Sequence, residues 1–189
     1  MKRSFILSSA AALLGALALV ACSSTPTQRS AGETVDDSVL TGKAKVALID
    51  NDLVKADEVN VDTYRGVVQL NGFVDTQAEK SAATRAVQAV SGVKEVRNNL
   101  EVKSLVVAET DRSVGEVIDD ATITTKVKAA LIADETTKAH EINVDTNSGI
   151  VELGGFVDSE TAKNRATEVA RGVSGVKKVL NDLQVKPKS

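Results

Sequence analysis

Cys22 is the only thiol in this 189-residue chain, and it stands directly after an apolar run from Phe5 to Ala21. A sulfur nucleophile there sits where a membrane-bound enzyme can modify it, whereas exported chains that use thiols for disulfides carry them in pairs. The one imidazole, His140, occupies the polar start of a strand and reads as a solvated side chain. Carboxylates come in pairs, Asp36-Asp37 and Asp119-Asp120, each ahead of a helical pattern where oxygens accept from the free N–H groups of a first turn. Capping therefore outweighs acid/base or metal chemistry. Asp62 and Asp145 precede tight turns and are read as acceptors for local backbone N–H groups. With no Gly-x-Ser-x-Gly pattern and no phosphate loop, no catalytic set, metal site or cofactor is expected.

The elements that position these residues begin with an address. Lys2 and Arg3 precede the Leu- and Ala-rich run, which has the layout of a signal peptide over 1–21. Leu19-Val20-Ala21-Cys22 resembles the lipobox of bacterial lipoproteins, which implies diacylglycerol on the Cys22 sulfur and cleavage ahead of it. Ser23, where retention at the inner membrane usually shows Asp, implies delivery to the outer membrane, facing the periplasm. Residues 22–35 have few large apolar side chains and read as a lipidated tether.

Beyond the tether the chain is duplicated without gaps. The spacing that carries Asp36-Asp37 onto Asp119-Asp120 also aligns Asn60-Val61-Asp62-Thr63 with Asn143-Val144-Asp145-Thr146, Gly72-Phe73-Val74-Asp75 with Gly155-Phe156-Val157-Asp158, and Ser91-Gly92-Val93-Lys94 with Ser174-Gly175-Val176-Lys177. Two domains, 36–104 and 118–187, are joined by a linker over 105–117. Leu40, Ala44, Ala47 and Leu48, like Ile123, Val127, Ala130 and Leu131, have helical spacing with one apolar face. Two alternating runs follow, separated by Tyr64-Arg65-Gly66 or Asn147-Ser148-Gly149, which predicts an antiparallel hairpin. A second helical pattern and a third alternating strand complete each copy. The class is α+β: two tandem α-β-β-α-β domains, each a three-stranded mixed sheet with two helices on one face and a more polar opposite face. Aromatic residues make up 2% of the chain, so the cores are Val, Leu, Ile and Ala, and Phe73 and Phe156 are read as core positions.

Asn-Val-Asp-Thr before the hairpin, Leu-x-Gly-Phe-Val-Asp into a helix, and Val-Ser-Gly-Val-Lys-x-Val into the last strand resemble the BON-domain family in both copies. Together with Cys22, the pattern is similar to dual-BON outer-membrane lipoproteins. The resemblance implies a non-enzymatic role: association with phospholipid membranes and envelope or outer-membrane proteins, and a part in envelope integrity or osmotic stress. Loss of Lys2 and Arg3 takes the formal net charge from −3 to −5, and no basic stripe compensates, so nucleic acid is not an expected partner. The stretch around Ile123, Thr124, Lys126, Val127 and Lys128 carries two lysines and no acid, and is the expected contact with anionic head groups. Two other roles stay open: a chaperone-like stress protein that holds unfolded envelope proteins, and a structural adaptor that captures a partner along a strand edge.

Overall fold

The computed structural model describes residues 31–103, 119–137 and 141–187, of which 31–35 by backbone alone. Cys22, His140 and the expected linker lie outside the described residues.

Helix α1 spans Ala31–Ile49, so it starts ahead of the expected Asp36 boundary and contains the first carboxylate pair. Those carboxylates do not cap it. Asp37 is buried and accepts from the backbone N–H of Arg65 at 2.8 Å and of Gly66 at 3.0 Å. These two residues form the turn between β1 (Asn60–Tyr64) and β2 (Val67–Asn71), with φ of 52° and 82°. That is the left-handed pair a two-residue hairpin demands. The second repeat repeats the device: Asp120, opening α3 (Asp120–Ala133), accepts from Ser148 N–H at 2.7 Å and Gly149 N–H at 2.8 Å. Asp119 is the N-cap residue there but makes no side-chain cap bond. The paired acids therefore lock each hairpin onto its first helix.

Each repeat then closes in the same way. In the first, β3 (Phe73–Val74), α2 (Gln77–Gln88), β4 (Glu95–Asn98) and β5 (Glu101–Val102) follow; in the second, strand pairing continues unbroken through the counterpart of β3. Its elements are β6 (Ile142–Asn147), β7 (Ile150–Val157), α4 (Glu160–Arg171), β8 (Lys178–Asn181) and β9 (Gln184–Val185). The sheets are mixed: β1 is antiparallel to β2, which is parallel to β4, and β6–β7–β8 repeats that order. Thr76 caps α2 by accepting from Glu79 N–H at 3.1 Å, while the Glu79 carboxylate accepts from Asp75 N–H and Lys55 N–H and so anchors the preceding loop.

The helix-facing side of each sheet holds a separate core. Leu40, Ala44 and Leu48 of α1 and Ala82, Ala83 and Val87 of α2 cover Val61, Val68 and Leu70. Ile123, Val127 and Leu131 of α3 and Ala162, Ala166 and Ala170 of α4 cover Val144, Val151 and Leu153. Small side chains on α2 and α4 let the helices approach the strands closely, which is how cores nearly free of aromatics are filled. Gly72, at φ +127°, bends the chain between β2 and β3, and a Cβ there would collide with the Glu58 carbonyl. The opposite sides of the two sheets are not open to solvent, because they meet each other.

Candidate functional site

The expected lipid-contact residues divide in two. Ile123 and Val127 are 1% and 0% exposed inside the second core, so they cannot touch a bilayer without unfolding that domain. The expectation is corrected on this point: these side chains take the inward phase of α3. Thr124 is half-buried and donates to Thr146 Oγ1 at 2.8 Å, pinning α3 to β6. Only Lys126 and Lys128 are exposed.

The feature that sequence reasoning missed is the seam between the domains. Asn143 Nδ2 donates to Asp62 Oδ2 at 2.6 Å, and the equivalent Asn60 donates to Asp145. The shared Asn-x-Asp motif is thus a reciprocal clasp between copies, and Asp62 and Asp145 serve it in place of local turns. Around it, Gln69 Nε2 donates to the Asp182 carbonyl at 2.6 Å, Gly72 N–H donates to Glu152 Oε2 at 2.8 Å, and Arg97 donates to Gln184. The two equivalent phenylalanines also cross over. Phe156 lies 5.4 Å from the Tyr64 ring, centroid to centroid, and Phe73 packs with Ile150 and Leu180. Both are buried as expected, but against the other domain. Gly154 completes the fit: Asn71 occupies the place a Cβ on Gly154 would need. The signal that could have pointed here was the polarity of the outer strand positions combined with their exact repetition.

Burial gives the seam an unusual electrostatic state. Glu152 is 1% exposed, and desolvation pushes its carboxyl up to about 9, helped by the nearby Asp182, Asp145 and Glu101 and opposed by the Gly72 N–H. At neutral pH it is an uncharged acid. Its Oε1 has no hydrogen-bond partner among the described residues, and neither does Oε1 of Gln69, the equivalent residue on the facing central strand. Protonation removes the cost of burying an ionised carboxylate there and turns one of its oxygens into a donor. Burial also raises the carboxyls of Asp62, Asp145 and Asp182. Both repeats carry the same ion-pair bracket, Lys103 meeting Glu58 at 2.7 Å and Asp75 at 2.9 Å as Lys186 meets Glu141 and Asp158, and Lys186 also lies 5.9 Å from the centre of the Tyr64 ring across the seam. Lys55 and Lys103 hold the Asp75 carboxyl down to about 2.

A cleft of about 630 Å³ beside α1 is lined by charges of both signs, Asp36, Asp37, Lys43, Arg65 and Lys94, together with Ser91. Among the described residues no group of His, Cys, Asp and Glu converges as a metal site, and no helix is long and apolar enough to cross a membrane.

Fold and seam together define a duplicated α+β module whose two halves are clasped face to face. Both halves match the family model of the BON domain, over residues 36–104 and 119–187, and the chain belongs to that family. It is 38% identical to osmotically-inducible protein Y of Escherichia coli over 155 residues, 82% of this chain and 75% of that one. It is 34% identical to outer membrane lipoprotein DolP of Haemophilus influenzae over 177 residues, 93% of this chain and 88% of that one. A 21 kDa hemolysin of Actinobacillus pleuropneumoniae is 35% identical over 153 residues, 80% of this chain and 75% of the hemolysin. No catalytic family is indicated by these matches.

Proposed function

We propose that this chain is a non-enzymatic lipoprotein, held by a diacylglyceryl group on Cys22 at the periplasmic face of the outer membrane, whose BON pair works against phospholipid in envelope integrity or osmotic stress. One observation carries the reading: Leu19-Val20-Ala21-Cys22 ends the apolar run, and the Haemophilus lipoprotein matches too much of the chain, 177 of 189 residues, to leave Cys22 outside the match. Two or more acyl chains, each buried CH₂ contributing about 0.8 kcal/mol, make such an anchor stable. Once anchored, the exposed Lys126 and Lys128 add contacts to anionic head groups of about 1 kcal/mol each.

Fatty-acid labelling in cells tests the anchor. Wild-type protein is expected to take up label and sediment with outer membranes, and Cys22→Ser to lose the label and appear in the soluble fraction. Undiminished label in Cys22→Ser would sink the reading. For the head-group part, flotation of the mature Cys22→Ser chain with anionic vesicles is expected to fall when Lys126 and Lys128 become Glu.

A further inference from the structure

Four of the five exposed large apolar residues among those described lie together: Val39, Val46 and Ile49 on α1, and Leu53 just past its end. They are 51–68% exposed, and the fifth is Ile132. On α1 the spacing puts Val39, Val46 and Ile49 along one side, while Leu40, Ala44 and Leu48 occupy the opposite, core-facing side. The helix is therefore apolar on both sides, and only one of them is used by the fold. The family architecture does not require this. At the equivalent positions of the second repeat stand Thr122, Ala129, Ile132 and Thr136, so three of the four large side chains are replaced by smaller or polar ones. A contiguous apolar strip on one repeat alone calls for something to cover it.

We propose that this outer face of α1 lies on the bilayer that holds Cys22, with Val39, Val46, Ile49 and Leu53 at the boundary between head groups and acyl chains. The inference rests on the anchoring of Cys22 proposed above. Chain length favours a bilayer as the occupant. Only residues 23–30 separate Cys22 from the start of α1 at Ala31, and a fully extended chain of that length spans no more than about 30 Å. An anchored Cys22 thus holds α1, out of all the helices, nearest the membrane along the chain. The exposed charges around the strip, Lys43 and Lys45 toward its start and Asp50 and Asp52 toward its end, balance one another. The contact is accordingly apolar, and it needs no anionic lipid, unlike a contact made by Lys126 and Lys128.

The chain contains no Trp, so one introduced indole reports its own surroundings alone. Ile49→Trp and, at the equivalent place in the other repeat, Ile132→Trp are each made in the mature chain. The single thiol is coupled to a maleimide lipid in phosphatidylcholine vesicles with brominated acyl chains. This synthetic anchor works whether or not cells lipidate Cys22, so a failure of the labelling experiment above and a failure here are separate results. Ile49→Trp emission is expected to drop about threefold on coupling, as for an indole at the depth of an interfacial helix, while Ile132→Trp emission holds. Adding Val46→Glu and Leu53→Glu is expected to restore the Ile49→Trp emission without changing the thermal melt. Absence of quenching at position 49, equal quenching at both positions, or quenching that survives the two glutamates would overturn the proposal. So would a dimer, seen by sedimentation without vesicles, that the same two glutamates dissociate, because a second copy would then be the occupant.

Discussion

The central strands of the two repeats, β2 and β7, are alike where they face their own helices and unlike where they face each other. Val61, Val68 and Leu70 are matched in the second core by Val144, Val151 and Leu153. On the seam side of the same strands, Gln69 is matched by Glu152 and Asn71 by Gly154. A duplicated core can keep the same residues because each copy solves the same packing problem. The middle of the seam cannot, because there equivalent positions of the two central strands meet, as Asn71 meets Gly154. Two glutamates would bury a second carboxyl on the central strands and two asparagines would compete for one space, whereas Gln opposite Glu adds no charge and Asn fits the gap beside Gly. On the central strands divergence between the repeats marks where they touch, whereas the Asn-x-Asp clasp on the neighbouring strands is kept in both.

The largest loss is expected from filling the gap beside Gly154. Gly154→Leu drives a side chain into Asn71, and it should separate the domains and lower stability by more than about 2 kcal/mol, with a larger radius of gyration in small-angle scattering. An unchanged radius would mean that the seam yields without opening.

Next is the proton on Glu152. The folded Glu152 carboxyl lies at about 9, above its ordinary value of 4.5. Because burial favours the protonated form, its stabilising contribution is complete below pH 4.5 and drains away as pH rises through 9. Thermal stability should therefore decline from pH 5 toward pH 9, and Glu152→Gln should flatten that slope. At pH 8 the variant should melt a few °C higher, on the order of 1–2 kcal/mol. A Glu152→Gln chain with the parent's slope would assign the pH dependence to other groups.

A smaller effect is expected from the ion-pair brackets, where the repeats are alike. Lys103→Met should cost about 1 kcal/mol or less in denaturant unfolding and Lys186→Met somewhat more, since both lysines bridge matching acids but Lys186 also lies over the Tyr64 ring of the other domain. Equal losses would assign nothing to that ring contact. Least of all should be the stability change for Val46→Glu, within about 0.5 kcal/mol, because its side chain leaves α1 away from the core. A large loss would place Val46 in the fold and remove it from the surface.

Much of the architecture was legible from residues alone. Helical spacing, the alternating runs and the turn glycines predict the α-β-β-α-β order and mixed sheets that the structure has. The paired acids were legible only as acceptors. Their carboxylates reach the hairpin turn 28 or 29 residues along the chain instead of the nearest helix end, and local spacing carries no information about such a partner. The lipid-contact set mixed the two sides of α3, although the same spacing that predicts the helix puts Ile123 and Val127 on the side of Leu131.

The amino-acid sequence by itself determined the duplication, the order of elements, both cores and the position of Cys22 after its apolar run, because each follows from the period of side chains along a short stretch of backbone. Only the tertiary structure decided what the polar strand faces look at. Alternation separates the two sides of a sheet, but it does not say whether the second side meets water or another protein surface. That depends on whether a remote surface supplies a partner for every buried donor and acceptor, and here the other copy of the same domain supplies most of them.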